Sequence, residues 1–87
     1  MDSSVELCPI NEVGELGAII RRHRKSLGIT QVDAAQEAGV GPRFLLELER
    51  GKETVRLGSV LQVLQSMGLV LCVEVPIDEE SEEEVES

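Results

Sequence analysis

Tryptophan and tyrosine are absent from this chain, and Phe44 is its one aromatic residue. The core must therefore be aliphatic, built from Leu, Ile, Val and Ala. Histidine is nearly absent too: His23 stands alone among Arg21, Arg22, Arg24 and Lys25. A general base needs a nucleophile beside it, and nothing nearby supplies one. One histidine and two distant cysteines, Cys8 and Cys72, make a poor zinc set. These absences argue against an enzyme, a metal site and a cofactor. The two cysteines do not form a disulfide framework either. No apolar run approaches 18 residues, so no membrane span is expected. Residues 1–15 lack the basic start and apolar run of a secretion signal. A reducing cytoplasm is the expected setting.

Basic residues are scarce, eight against 17 acidic, for a formal net charge of −9. That balance looks wrong for a nucleic-acid binder until it is resolved by position. Residues 78–87 hold seven of the acidic residues and no basic one. All eight Lys and Arg lie between Val13 and Arg56, with six acids, so this middle stretch is mildly basic at +2. The acidic block repels itself and is expected to be a disordered interaction tail. Its two readings are a solubilising end, or a contact for a basic partner that competes with DNA for the basic face.

At 87 residues the chain is one small domain, for which oligomerisation is a common way to gain burial. Residues 1–10 read as a flexible leader, 11–68 as the folded domain, 69–76 as a strand and 77–87 as the acidic tail. Asn11 can cap a helix over Glu12–Leu27 whose apolar side holds Leu16, Ile19, Ile20 and Leu27, with Gly28 as its terminator. Thr30 caps a helix over about Gln31–Ala38. Gly41 and Pro42 open a third, over about Pro42–Arg50, stopped by Gly51. Leu57, Val60, Leu61, Leu64 and Met67 then recur at helical spacing up to Gly68.

The middle of this order reads as a helix-turn-helix. Two helices that cross steeply over a short turn need small residues at the crossing, and Ala35 and Gly39 stand there. Gly39 suits a turn with positive φ. Val40, Leu45 and Leu48 sit where the second helix must face the core.

Residues Leu69, Val70, Leu71, Cys72, Val73, Glu74 and Val75 change period and read as a strand ended by Pro76. A lone strand cannot satisfy its own N–H and C=O groups. The expected partner is the same strand of a second copy across a two-fold axis, giving a homodimer. The alternative is an extended segment packed on the domain.

Thr30-Gln31, Ala35, Gly39-Val40 and Leu48-Glu49-Arg50-Gly51, in this helix order, resemble the Cro/C1-type (XRE) helix-turn-helix family over about residues 14–68. A narrower resemblance, to HipB-like antitoxins, rests on Arg43-Phe44-Leu45, Glu47-Leu48-Glu49-Arg50-Gly51-Lys52, Thr54-Val55-Arg56-Leu57 and Val60-Leu61, followed by the Gly68-Leu69 strand. The resemblance implies an all-α, five-element, lambda-repressor-like domain with one short C-terminal strand pairing across a homodimer. It also implies a repressor that binds its own double-stranded DNA operator and a HipA-type kinase toxin. Two departures stand out. Leu46 occupies a position where the family has a polar, groove-facing residue, and Ala34 stands where Leu is usual.

By position the third helix is the recognition helix, and its N-terminal residues should enter the major groove. Arg43 can pair with guanine O6 and N7, with a phosphate contact as the alternative. Pro42 offers apolar contact to a thymine methyl. Glu47, one turn on, can accept from cytosine N4 or orient Arg43. Leu46 lies on the same outer side and packs on a base or on protein. Thr30 and Gln31, at the N-terminus of the second helix, suit a backbone phosphate, against a simply solvated Gln31. Arg50, Lys52 and Arg56 suit phosphates that carry affinity and no sequence information, or remain solvated. The resemblance pairs Glu49 with Arg24, locking the first helix to the third. Two other functions stay open: a stand-alone repressor or restriction–modification controller, and a protein-interaction module that has lost DNA binding.

Overall fold

The computed structural model describes residues 4–77, so the first three residues of the leader and the acidic block 78–87 lie outside it. Four helices account for the regular structure among the described residues: α1 (Val13–Ser26), α2 (Gln31–Ala38), α3 (Pro42–Glu49) and α4 (Leu57–Ser66). None is long and apolar enough to cross a membrane.

Helix α1 begins two residues after Asn11, which is not its cap. Glu12 takes that place. Glu15 reaches back instead, its Oε1 accepting from the backbone N–H of Asn11 at 2.6 Å and of Glu12 at 3.3 Å. Free N–H groups at a helix start can be met from within the first turn as well as from before it. Leu27 caps α1 and is exposed, outside the apolar face expected for it, and Gly28 follows at φ 75°. Thr30 caps α2 through its hydroxyl, which accepts from Asp33 N–H at 3.1 Å. Gly39 takes φ 78° in the turn to α3. Helix α3 opens on Gly41 and Pro42, and Arg50 is its cap.

The core is aliphatic. Ile20, Ala34, Ala35, Leu45, Leu48, Val60, Val63, Leu64 and Met67 are buried, with Leu16, Val40 and Phe44 packed against them. On α4 the inward face is Val60, Val63, Leu64 and Met67. Leu57 and Leu61, expected on that face, are turned to solvent, and Val63 takes the inward place. The Leu and Val residues of this helix cover a wider arc than its buried face, so spacing alone does not select the buried stripe.

Helix α1 lies close against α3 at Gly17, which is buried. A Cβ there would meet the backbone oxygens of Leu48 and Glu49. The His23 imidazole ties α1 to the end of α4: Nε2 sits 3.1 Å from the Met67 carbonyl. A carbonyl only accepts, so Nε2 carries the proton in this contact. Gln62 Nε2 donates to the Ala38 carbonyl at 3.3 Å and joins α4 to α2.

Residues 69–77 form no strand in the single chain. Leu69 N–H donates to Leu64 O at 2.8 Å, and Leu69 packs against the core. Val70, Leu71, Val73, Val75 and Ile77 are exposed, as is Cys72, a free thiol like Cys8. The fold is thus four helices with an extended C-terminal segment, and the five-element description lacks its strand at the level of one chain. A ladder needs a second edge, and no strand is present among the described residues to provide one.

Candidate nucleic-acid interface

The first three helices meet at one buried ion pair. Arg24 of α1 donates from Nε to Glu49 Oε2 at 2.7 Å and from Nη2 to Glu49 Oε1 at 3.0 Å, the two-pronged geometry that suits a guanidinium and a carboxylate. Its Nη1 donates to the Ile29 carbonyl at 2.9 Å. The side chains are 8% and 2% exposed. Gln31, the first residue of α2, joins the same carboxylate, its Nε2 donating to Glu49 Oε1 at 2.9 Å. One acid at the end of α3 therefore fixes a cation on α1 and an amide on α2.

The electrostatics follow the geometry. Burial pushes the Glu49 carboxyl upward, yet the hydrogen bonds from Arg24 and Gln31, with the nearby charges of Arg24 and Arg21, hold it below the usual carboxylate range. The Arg24 guanidinium is held above its ordinary value by its hydrogen bond to Glu49, which outweighs the cost of burial.

A shallow, open depression lies over this pair. Thr30, Gln31, Leu46 and Arg50 line it, all singled out in the sequence. Arg21 and Lys25 line it as well. These two cations were missed as site residues, although Arg21 and Lys25 stand at i,i+4 spacing, which places them on one face of α1. Leu46 is half-buried here, at the margin of the depression rather than fully outward.

The second group runs along α3. Pro42 and Arg43 are exposed on its first turn. Arg43 is 83% exposed, with Nε 3.2 Å from Glu47 Oε2. Glu47 Oε1 accepts from Lys52 Nζ at 3.1 Å. Lys52 is carried there by the way α3 stops. Gly51 takes φ 87°, its N–H donates to Leu48 O at 3.0 Å, and Lys52 N–H donates to Glu47 O at 3.0 Å. This paired bonding folds the chain back over the last turn and sets Lys52 beside Glu47. The hydrogen bond from Lys52, with the charges of Lys52 and Arg43, lowers the Glu47 carboxyl below its ordinary value against the opposing effect of desolvation. Arg56 is exposed at the N-cap of α4.

Chemically the arrangement is a set of exposed cations flanking a helix whose first turn is exposed. It gathers Thr30, Gln31, Leu46 and Arg50 over the ion pair and Arg43, Glu47 and Lys52 on one carboxylate.

Comparison with known proteins agrees with this architecture. Residues 20–70 match the family described as Helix-turn-helix. The chain is 42% identical over 67 residues to a protein of Sinorhizobium fredii named as an uncharacterized HTH-type transcriptional regulator, covering 77% of this chain and 88% of that one. It is 34% identical over 50 residues to another such regulator from Methanothermobacter thermautotrophicus, covering 58% and 72%. Among solved structures it is similar to the chain in a HipB-O4 20mer complex, with a TM-score of 0.72 at 20% identity over 79% of this chain and 97% of that one. It is also similar to a chain of a HipA-HipB-O2-O3 complex, at a TM-score of 0.73 and 20% identity over the same shares. The clp gene regulator ClgR from C. glutamicum matches at a TM-score of 0.59 and 33% identity, over 66% and 73%.

Proposed function

The chain belongs to the helix-turn-helix family of Cro/C1 (XRE) type, with a HipB-like fold, and from that premise we propose that it is a sequence-specific DNA-binding repressor acting as a homodimer. The observation that carries the reading is the first turn of α3. Pro42 and Arg43 stand exposed there, while the cationic depression beside it is lined by the start of α2. A helix start facing a major groove, with N–H groups and cations facing phosphates on either side, is the division of labour that operator binding needs. Gln31 contributes through its position at the N-terminus of α2, its side chain held in place by Glu49.

Titration of fluorescent duplexes, first selected from a randomised pool, tests the reading. Arg43→Ala will cost roughly 1–3 kcal/mol on the selected site and relax preference at one base pair per half-site. Lys52→Ala will weaken all duplexes alike and lower the salt slope by about one. An Arg43→Ala protein that loses affinity equally for every sequence refutes the assignment of Arg43 to base reading.

Residues Leu69–Val75 supply the two-fold contact in this reading. Their support is the row of exposed apolar side chains at Val70, Leu71, Val73 and Val75, in a segment that forms no strand within the single chain. Pairing with the same segment of a second copy would cover these side chains and supply a ladder partner. Val73→Pro removes an N–H from that ladder and will shift native mass toward monomer. A wild-type chain that is monomeric at micromolar concentration and still binds its operator fully excludes this interface.

The likeness to HipB chains supports a narrower role: an antitoxin that also holds a HipA-like kinase toxin. Co-purification of the untagged chain with its neighbouring gene product tests that role. Recovery of the chain alone, with operator binding intact, favours a stand-alone repressor.

A further inference from the structure

Glu47 is the one acid on the outer side of α3, where an approaching phosphate backbone would be repelled by it. Its carboxylate is not idle. Oε2 faces Arg43 Nε at 3.2 Å and Oε1 accepts from Lys52 Nζ at 3.1 Å, so one acid holds a cation of the first turn and a cation of the following loop together. Neither contact is an accident of long side chains. Arg43 is four residues before Glu47 on the same helix, and Lys52 is brought alongside by the backbone turn at Gly51. The contact to Arg43 runs through Nε, which leaves the Nη end of an 83% exposed guanidinium to reach outward. An end-on guanidinium with two parallel N–H donors is the shape that pairs with guanine O6 and N7.

We propose that Glu47 is a positioning residue for base reading: by holding Arg43 and Lys52 at once it aims Arg43 into the groove and keeps both cations from making indiscriminate phosphate contacts. The proposal rests on the reading of α3 as the helix that enters DNA. Its physical content is a trade of affinity for discrimination. Without the carboxylate, Arg43 and Lys52 become two freely moving cations and the face gains one unit of positive charge. Any phosphate is then attracted more strongly, and no guanine is met in a fixed geometry.

The test compares wild type, Glu47→Gln, Arg43→Ala and the double variant on two duplexes: the sequence that wild type selects from a randomised pool, and a scrambled version of it. Glu47→Gln will bind the scrambled duplex more tightly at low salt, on the order of threefold. Its ratio of selected to scrambled affinity will fall about tenfold, a share of what a well-aimed arginine–guanine pair contributes. In the Arg43→Ala background the same substitution will leave that ratio unchanged, because Glu47 acts through Arg43. A merely structural role would move thermal stability and leave this dependence on Arg43 unaffected. An unchanged ratio for Glu47→Gln in the wild-type background overturns the proposal alone. A ratio that still falls in the Arg43→Ala background overturns it in favour of direct reading of a base by Glu47. A wild-type chain that binds no duplex at low salt overturns the DNA-binding reading, and this proposal with it.

Discussion

Glu49→Ala will lower folding stability by about 3–5 kcal/mol, read as a fall in the urea midpoint with an unchanged slope. The loss is large because of what the substitution leaves behind. Arg24, 8% exposed, keeps its charge and loses both oxygens that answered it, and Gln31 loses its acceptor. A domain of this size holds only about 5–15 kcal/mol in total, so the variant will sit near the edge of folding. Arg24→Ala strands the opposite charge and will fall similarly. The double variant will recover part of the loss, since the stranded charge is gone; a double-mutant cycle with coupling near zero would show that the pair does not lock α1 to α3. The same carboxyl sets an acid limit. Its pKa in the folded chain is below the unfolded value of about 4.3, so its contribution is complete above that value and is lost as pH falls through the lower folded one. Glu49→Gln, measured across pH 2–6 in roughly half-unit steps, will show a shallower acid decline than wild type, from a lower starting stability.

Gly17→Ala will destabilise the fold by about 1–3 kcal/mol, against its helix propensity, which favours alanine by about 1 kcal/mol. The added carbon meets the backbone oxygens of Leu48 and Glu49, which cannot rotate aside as a side chain would. Helix α1 must then move off α3, and the Arg24–Glu49 contact, about two turns along α1, is stretched with it. Gly17→Leu will leave no native population. Gly58→Ala is the matched control, since a Cβ at Gly58, on the first turn of α4, meets nothing within 4 Å. It will raise stability by roughly 0.4–1 kcal/mol. Should Gly17→Ala also stabilise, the close approach of α1 to α3 is wrong.

These two residues mark where reading the sequence stops. Helix α2 was legible to the residue, because a threonine cap and a left-handed glycine are local signals that neighbouring residues interpret. Leu45 and Leu48 were legible as core because they stand at i,i+3 spacing on the face of α3 that the turn at Gly39 directs inward. Gly17 was silent: a glycine inside a helix reads only as a weakness until the helix lying across it is known. The bond from Gln31 to Glu49 joins residues 18 apart in sequence and carries no local mark. Asn11 failed as a cap because the cap falls one residue later, on Glu12, with Glu15 answering the N–H groups of Asn11 and Glu12 from inside the first turn. The alternation over Leu69–Val75 was legible as a pattern, yet the single chain forms no strand there, since a strand needs a paired edge.

Helix α3 sorts its eight residues with little overlap. Leu45, Leu48 and Glu49 are inside and hold the fold, while Pro42 and Arg43 are exposed and Arg43 makes only the surface pair with Glu47. Substitution at the outer positions therefore carries almost no folding penalty, and surface changes of this kind stay within about 0.5 kcal/mol. A lineage carrying this scaffold can drift to a new ligand one exposed residue at a time, every intermediate remaining folded, whereas the inner three must change together or not at all.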